Sequence, residues 1–242
     1  MPSYNAEHYI AQSIESVLEQ TYDHWELLIT DDCSTDSTPQ IARSFAQSDD
    51  RIKFELAPKH QGIASTRNLS LQRAKGQFVA FLDNDDLWTP NKLSCQVAFM
   101  LEHNYALSYS AYELMNEDGN LKNKTINTAG QINYHKYLRN TILGSGTIMI
   151  NQLLTGSLTM PFNATSDDMA LWCKILKDGF VAQPIEKVLM QYRVRNDSAS
   201  ANKLKAARDV WRVYRQQEKL SFVFALWCFG GYAFNAIKKR LF

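Results

Sequence analysis

The chain has 242 residues, of which 45% are hydrophobic and 21% charged, and its formal net charge is +1. This composition excludes a disordered chain, and the balanced charge argues against a nucleic-acid partner. The length suits one large domain, or one domain with a tail. The four cysteines are scattered without paired spacing, which argues against a structural zinc site and favours free thiols in a reducing cytosol.

The first hundred residues alternate between strand and helix patterns. Strands are predicted at residues 25–30, 52–56 and 77–82, and helices at residues 5–18, 36–45, 62–71 and 89–101. Asn5 is expected to cap the first helix, and the apolar run 77–82 is typical of a central strand buried on both faces. Such alternation predicts a parallel sheet covered by helices.

The chain opens directly in what reads as a strand-to-helix turn at residues 1–5. An α/β domain normally has a hydrophobic strand before such a turn, so we expect most of the first strand to be truncated. The alternative is that Met1 is the true start and the sheet forms without that strand.

Two acidic clusters follow predicted strands. Asp31 and Asp32 come after one, and Asp83 and Asp85 come after another. Ligands of parallel sheets bind at the carboxyl ends of the strands, so both clusters should lie on the same rim. Asp83 and Asp85 can face one Mg²⁺ or Mn²⁺ ion that bridges a diphosphate, or they form a solvated loop. For Asp31 and Asp32 alone, a turn into the next helix is the simpler interpretation.

Three further residues are chemical candidates. Arg67 can pair with a phosphate, although an exposed helical arginine is the alternative. Asp167 and Asp168 begin a predicted helix at 167–177, where carboxylates often cap the helix. The functional interpretation is a general base that takes a proton from an acceptor hydroxyl. The five histidines show no ligand spacing, and no Ser–His–Asp order or Gly-rich phosphate loop is visible.

The second half is less regular. Strands are predicted at residues 105–112 and 188–194, a turn at 116–120, and a charged helix at 201–219.

The tail, residues 221–242, is dense in aromatic and apolar residues and ends in a basic cluster at 238–240. A membrane span needs ~20 apolar residues, and Gly230 and Asn235 interrupt this run. An interfacial helix with its basic end on anionic headgroups fits better, which predicts peripheral membrane contact. The alternative is that the stripe packs on the domain's own core or on a second subunit.

Several segments match one known pattern in order and spacing. They are PSYNAE at 2–7, SVLEQTY at 16–22, DDCSTD at 31–36, Gly62 with Arg67-Asn68, GQFVAFLDNDD at 76–86, Asp167-Asp168 with Leu171-Trp172, and Tyr192-Arg193 followed by Asn196 and Ser198. Together they resemble the family 2 glycosyltransferases of the GT-A fold, and most of all the teichuronic-acid and surface-polysaccharide transferases. The ordered string is far more specific than any single piece.

The resemblance implies an α/β fold with a GT-A-like doubly wound, mostly parallel mixed sheet flanked by helices. Residues 1–200 would form the glycosyltransferase domain, with a nucleotide-binding half at 1–104 and an acceptor-binding half at 105–200. Residues 201–242 would be a helical tail.

The resemblance also implies roles for single residues. The expected nucleotide-binding residues are Pro2, Tyr4, Glu7, Asp32, Arg67, Asp83 and Asn84. Tyr4 would flank the base and Asp32 would bind uracil. Asp85 would be the main metal ligand, with Asp83 holding ribose or metal, and Asp168 would be the catalytic base.

The implied reaction is a single displacement with inversion. An acceptor hydroxyl attacks the anomeric carbon while a nucleoside diphosphate, held by Mn²⁺ or Mg²⁺, departs. The implied donor is a UDP-sugar. The acceptor would be a saccharide or lipid-linked saccharide in cell-surface polysaccharide synthesis, and the enzyme would be cytoplasmic, at the inner face of the membrane.

Two departures from the family pattern stand out: the truncated first strand, and Arg195, which occupies a position where many members have His. A His metal ligand is therefore not expected there, and Arg195 is a candidate for contacting the diphosphate. Two other functions compete. A nucleotidyltransferase would need a Gly-rich basic loop near the start, which is lacking, and a membrane-associated binding module could be catalytically impaired by the truncated strand.

Overall fold

The computed structural model describes residues 1–161, 166–195 and 203–241. In this part of the chain, the strands are β1 Pro2–Ser3, β2 Leu27–Asp31, β3 Ile52–Leu56, β4 Phe78–Ala80, β5 Leu87–Trp88, β6 Leu107–Met115, β7 Leu121–Ile126, β8 Ile148–Asn151 and β9 Ala182–Arg193. The α-helices are α1 Ile10–Leu18, α2 Thr38–Ser48, α3 Ile63–Arg73, α4 Lys92–His103, α5 Tyr134–Arg139, α6 Gln152–Thr155, α7 Asp167–Lys177, α8 Lys203–Arg212 and α9 Phe222–Leu241. A 3₁₀ turn spans Ser145–Thr147, and a π-helical turn spans Val213–Gln217.

The strands form a parallel sheet and a mixed sheet. The first has the order β1-β2-β3, and the second has the order β4-β8-β6-β9-β5 with β7 paired to β6. Parallel pairing in the second sheet is confined to β6 and β9. The α/β class is confirmed, but the apolar run at 77–82 does not extend the parallel sheet, because β4 pairs antiparallel with β8. Local hydrophobicity can indicate that a strand is buried, but it does not indicate which other strand it pairs with.

The first helix begins later than its pattern predicts. α1 starts at Ile10, and Asn5 is not its cap. Instead Asn5 adopts a left-handed backbone with φ 45°, and its side-chain oxygen accepts a hydrogen bond from the backbone N–H of Thr35 at 2.9 Å. Asn5 therefore joins the loop after β1 to the loop after β2. The predicted apolar face of α1 is confirmed, since Ile10, Ile14 and Val17 are buried.

The second half contains more elements than its sequence pattern suggests. The predicted turn at 116–120 forms between β6 and β7, and α7 matches its predicted bounds. The elements β7, α5, β8 and α6 were not predicted, and β9 begins six residues before its predicted start. The helix expected at 201–219 ends its regular part at Arg212 and continues as the π-helical turn. Asn196 and Ser198 lie outside the described residues.

The buried apolar residues of the described chain form two clusters. One contains residues of α1, α2, α4 and β2, with Ile10, Ile29 and Met100 fully buried. The other surrounds Trp172 of α7, whose ring meets Phe81 edge-on at 5.5 Å between centroids. Phe81 lies between β4 and the acidic residues that begin at Asp83. The second core therefore supports the loop that carries the predicted metal ligands.

The tail shares the second core. Tyr214 is fully buried there, and so are Ala225 and Cys228 on one side of α9. The opposite side of α9 carries exposed apolar residues. No helix within the described ranges is long and apolar enough to cross a membrane.

Candidate active site

Asp31 is the last residue of β2 and Asp32 follows it, and the two carboxylates have different hydrogen-bond partners. The Asp31 carboxylate accepts hydrogen bonds from the backbone N–H of Ser34 at 2.8 Å and from the Ser34 hydroxyl at 2.6 Å. The Ser3 hydroxyl also donates to it, at 2.9 Å. Asp31 is buried, so these bonds hold the turn that leads towards α2. The turn interpretation therefore describes Asp31.

Asp32 faces the start of α3. Its two carboxylate oxygens accept backbone N–H groups of Gln61 at 2.9 Å and Gly62 at 2.8 Å. His60 Nδ1 lies 3.0 Å from the same carboxylate, and the His60 ring lies 4.6 Å from the Tyr4 ring, centroid to centroid. Tyr4 and Asp32 thus line one edge of the site, with His60 between them. Residue spacing gave no signal for His60.

Helix α3 connects the two acidic clusters. It begins after Gly62 at the Asp32 carboxylate, and five residues later Arg67 Nη2 lies 2.5 Å from Asp83 Oδ1. A helix rises 1.5 Å per residue, so about 7.5 Å of helix separates the two contacts. The clusters after β2 and β4 therefore lie along the same short stretch of helix.

Arg67 is a buried cation that lies among the acidic groups of the site. Burial opposes its ionisation, but the charges of Asp83, and next of Asp168, outweigh burial and raise the pKa of Arg67. Its Nε is buried and has no hydrogen-bond partner within the described part of the chain. An unsatisfied buried donor of this kind marks a place where a ligand oxygen would be favourable.

The acidic loop after β4 is held by the end of β9. Asp86 is buried and accepts the backbone N–H of Arg193 at 2.9 Å. The Arg193 guanidinium donates to the Asp85 carbonyl, the Glu117 carbonyl and the Gln12 side chain, each at 2.7 Å. Arg193 thus fixes the backbone of the loop, a role that the sequence pattern did not assign to it.

The Asp85 carboxylate itself faces Arg195 and another acid, Asp83. Arg195 Nη1 lies 3.2 Å from Asp85 Oδ2, and the Arg195 guanidinium also lies over the Tyr9 ring at 4.6 Å. Burial and then the charge of Asp83 raise the pKa of Asp85, while Arg195 opposes that rise. Two carboxylates that destabilise each other's charge would be relieved by a bound cation.

Asp83 and Asp85 could supply part of the coordination of a divalent ion. No group of three His, Cys, Asp or Glu side chains within the described ranges is arranged to hold a metal. Mg²⁺, however, is commonly bound through one or two carboxylates together with substrate phosphates. Asp83 and Asp85 fit that kind of site, which the diphosphate of a donor would complete.

Asp168 lies at the start of α7, with both oxygens hydrogen-bonded. The Ser145 hydroxyl donates to Oδ2 at 3.0 Å, and the backbone N–H of Met169 donates to Oδ1 at 2.7 Å. Arg67 interacts electrostatically with Asp168 as well as with Asp83. The candidate base and the acidic loop therefore share one buried cation.

The remaining predicted site residues have no hydrogen bond or ion pair with Arg67 among those described for this chain. Pro2 is buried in β1 and pairs with Thr30. Glu7 accepts the backbone N–H of Ser37 at 2.9 Å, so its carboxylate serves the start of α2 in this structure. Asn84 is half-buried between the two candidate metal ligands. The connected site thus contains Tyr4, Asp32, Arg67, Asp83, Asp85 and Asp168, and the individual roles of all the named residues stay predictions.

This arrangement can be compared with known proteins. A family model described as Glycosyl transferase family 2 matches residues 1–157. The chain belongs to glycosyltransferase family 2. This glycosyltransferase is 45% identical over 240 residues to TuaG of Bacillus subtilis (strain 168), named for teichuronic acid biosynthesis, covering 99% of this chain and 95% of TuaG. It is 40% identical over 214 residues to the Escherichia coli UDP-Glc:alpha-D-GlcNAc-diphosphoundecaprenol beta-1,3-glucosyltransferase WfgD, covering 88% of this chain and 83% of WfgD.

Solved structures show that this glycosyltransferase has the GT-A fold. S. aureus TarS 1-349 in complex with UDP-GlcNAc superposes with a TM-score of 0.72 at 20% identity, over 88% of this chain and 63% of that one. The mannosyltransferase PcManGT from Pyrobaculum calidifontis, in complex with GDP-Man and Mn²⁺, gives 0.69 at 19% identity, over 91% and 63%. The chain thus spans just under two thirds of both solved chains. Family membership sets aside the nucleotidyltransferase alternative.

Asp167 gives this glycosyltransferase a pH-dependent stability. Burial, and then the charge of Asp168, raise the pKa of Asp167 to about 6. The folded state therefore binds this proton more tightly than the unfolded chain, and the free energy of unfolding falls as pH rises from about 4 to about 6. We expect the wild type to lose about 1 kcal/mol relative to Asp167→Asn over that window, because solvent screens a half-exposed group. Urea denaturation at pH 4 and pH 7.5 measures this, and parallel pH dependences for the two proteins would contradict it.

Proposed function

We propose that this enzyme transfers a sugar from a UDP-sugar to a hydroxyl of a lipid-linked saccharide, with inversion, in cell-surface polysaccharide synthesis at the inner face of the membrane. The observation that carries the proposal is the path along α3. It runs from Asp32 at the start of the helix to Arg67, which contacts Asp83 and interacts with Asp168. Base recognition, diphosphate binding and proton removal would then occupy successive parts of one pocket.

The nucleotide would bind along the edge formed by Tyr4 and Asp32. Tyr4 is half-exposed beside His60, so its ring is available to a base. The Asp32 carboxylate accepts two backbone N–H groups and lies beside His60, and it has acceptor capacity for one further donor such as a uracil N–H. If the base binds at Tyr4 and Asp32, the ribose and the diphosphate would extend towards Arg67 and Asp83.

The diphosphate would lie between cations and carboxylates. The Nε of Arg67, which has no hydrogen-bond partner among the described residues, and the guanidinium of Arg195 are candidates to donate to its oxygens. Arginine is well suited to this because its planar donors match phosphate oxygens. Asp83 and Asp85 would hold Mn²⁺ or Mg²⁺, which when bound offsets the charge of the departing diphosphate.

Asp168 would remove the proton from the acceptor hydroxyl. Its carboxylate is fixed by Ser145 and by the N-terminal turn of α7, where the helix dipole favours the anion. The acceptor oxygen would form the new bond to the anomeric carbon as the bond to UDP breaks. Attack on the face opposite the leaving group inverts the configuration in a single step.

The names of two relatives suggest which donor and acceptor to expect. WfgD and WfaP of Escherichia coli, 40% and 32% identical to this chain, are both named UDP-Glc beta-1,3-glucosyltransferases acting on GlcNAc-diphosphoundecaprenol. We therefore place UDP-glucose first among the donors and a diphospholipid-linked N-acetylglucosamine first among the acceptors. Release of nucleotide would be measured with UDP-glucose, UDP-N-acetylglucosamine and GDP-mannose in the presence of Mn²⁺. Release from a UDP-sugar, with a β-linked product, is expected; no release from any donor would contradict the proposal.

The exposed side of α9 is the proposed membrane contact. Exposed apolar side chains recur on this side at helical spacing, so they form one apolar stripe. The stripe consists of Val223, Leu226, Trp227, Phe234 and Ile237. The Arg139 guanidinium lies 4.1 Å from the Trp227 ring centroid, and the sequence ends in a further basic cluster. Aromatic and basic groups side by side match the interface of an anionic bilayer.

Membrane binding should depend on the stripe and not on the helix as a whole. Deleting residues 221–242 is unsuitable, because Ala225 and Cys228 belong to the core. The triple variant Leu226→Gln, Phe234→Gln, Ile237→Gln should bind phosphatidylglycerol vesicles at least tenfold more weakly, since each side chain is more than half exposed and free to enter the lipid. Vesicle sedimentation measures this.

A matched control replaces three exposed leucines elsewhere, Leu121, Leu153 and Leu204, by Gln. This control should bind vesicles like the wild type. Unchanged binding of the stripe variant would overturn the membrane proposal. So would a wild-type dimer that the stripe variant converts to a monomer, because the stripe would then be a subunit interface.

A further inference from the structure

We propose that the turn at residues 144–147 is a positioning device for Asp168, with Ser145 as the hydrogen-bond donor that holds the carboxylate. This inference rests on the proposed role of Asp168 as the base. It assigns a function to a segment in which the sequence showed no motif.

The contact between the two residues is well defined. Ser145 is only 7% exposed, and its hydroxyl lies 3.0 Å from Asp168 Oδ2. The other carboxylate oxygen accepts the backbone N–H of Met169 at 2.7 Å. With one donor on each oxygen, the plane of the carboxylate is set, and lone pairs remain to accept a proton from the acceptor. Without Ser145, Oδ2 would lose the hydrogen-bond donor that the described part of the chain gives it, and the side chain could rotate.

The turn that carries Ser145 is itself anchored from two sides. The indole N–H of Trp88 donates to the Gly146 carbonyl at 3.0 Å, and Gln96 Nε2 donates to the Thr147 carbonyl at 3.1 Å. A side chain at Gly146 would place its Cβ 2.4 Å from the Met190 methyl group, so the turn sits directly against β9. These contacts hold Ser145 in place independently of Asp168.

The anchors also connect the base to the acidic loop. Trp88 is buried in β5, two residues after Asp86, and β5 pairs with β9. A chain of contacts through Trp88, Gly146 and Ser145 therefore connects the loop of the predicted metal ligands to the base. The turn would keep the proton acceptor at a fixed position relative to the bound diphosphate, as a displacement reaction requires.

Removing the hydroxyl should affect the chemical step more than binding. A carboxylate that can rotate spends less time in the orientation that accepts the proton. Ser145→Ala should therefore lower kcat about tenfold and change the KM for the UDP-sugar less than twofold. Ser145→Thr, which keeps the hydroxyl, should recover most of the activity.

The experiment measures release of UDP from UDP-glucose, or from UDP-N-acetylglucosamine if only that donor is turned over. Ser110→Ala is the matched control, because Ser110 is equally buried but its hydroxyl has no hydrogen-bond partner in the described structure. It should behave like the wild type. Asp168→Asn is assayed in parallel to test the base itself.

The outcomes separate the two ideas. An inactive Asp168→Asn with an unaffected Ser145→Ala would overturn the positioning role and leave the base assignment standing. A loss in Ser145→Ala that raises KM as much as it lowers kcat, or that Ser145→Thr does not recover, would show a merely structural serine and overturn the proposal. A fully active Asp168→Asn would overturn both.

Discussion

Replacing Asp168 by Asn is expected to lower the turnover of UDP-sugar about 1000-fold while UDP binding changes less than about threefold. The amide keeps the shape of the side chain but cannot accept the acceptor's proton as a carboxylate does. The nucleotide, by contrast, would be bound by Tyr4, Asp32 and Arg67, which lie outside α7. Steady-state kinetics and calorimetric titration with UDP measure the two effects separately.

The control for this variant is Asp178→Asn. Asp178 is exposed at the other end of α7, so the substitution removes one carboxylate from the same helix without touching the site. It should leave turnover unchanged. Full activity of Asp168→Asn would show that another group accepts the proton.

Replacing Arg67 by Met is expected to give the largest loss of stability among the site variants. Its side chain is 7% exposed and holds Asp83, which is 32% exposed, while Asp167 and Asp168 add their charges nearby. Removing one partner of a buried ion pair usually costs 3–5 kcal/mol, and the partial exposure of Asp83 reduces this to about 3 kcal/mol. Urea denaturation at pH 7 measures the free energy of unfolding.

The double variant Arg67→Met, Asp83→Asn tests whether the pair causes that loss. Since it removes the carboxylate left without its partner, it should be more stable than Arg67→Met alone, with a coupling energy of about 1–2 kcal/mol. The single variant Asp83→Asn completes the cycle. A coupling energy near zero, or a fully stable Arg67→Met, would mean that the guanidinium does not hold the acidic groups together.

The sequence predicted those parts of the site that depend on local patterns. Asp32 and Asp83 each follow an apolar run, and the end of a buried strand is readable from neighbouring residues. The same holds for Asp168, which begins a helix with a clear apolar face. The aromatic and apolar composition of residues 221–242 also predicted an interfacial helix, although only packing against the core decides which side of α9 remains exposed.

The parts that escaped prediction depend on contacts between distant residues. Ser145 reaches Asp168 across 23 positions, and His60 reaches Asp32 across 28. Arg193 secures the acidic loop from 107 positions away. Such pairs leave no periodic signal, because each is formed only when separate elements pack against each other. The antiparallel pairing of β4 with β8 was missed for the same reason.

The most direct test of the account is a calorimetric titration of UDP into the wild type, Asp32→Asn and Asp85→Asn, each with and without Mn²⁺. If one pocket spans both acidic clusters, Mn²⁺ should strengthen UDP binding to the wild type at least tenfold, and Asp85→Asn should lose that gain while keeping its metal-free affinity. Asp32→Asn should weaken binding under both conditions. Equal affinity of the wild type with and without Mn²⁺, or an undiminished gain in Asp85→Asn, would contradict a cation-assisted nucleotide-sugar site.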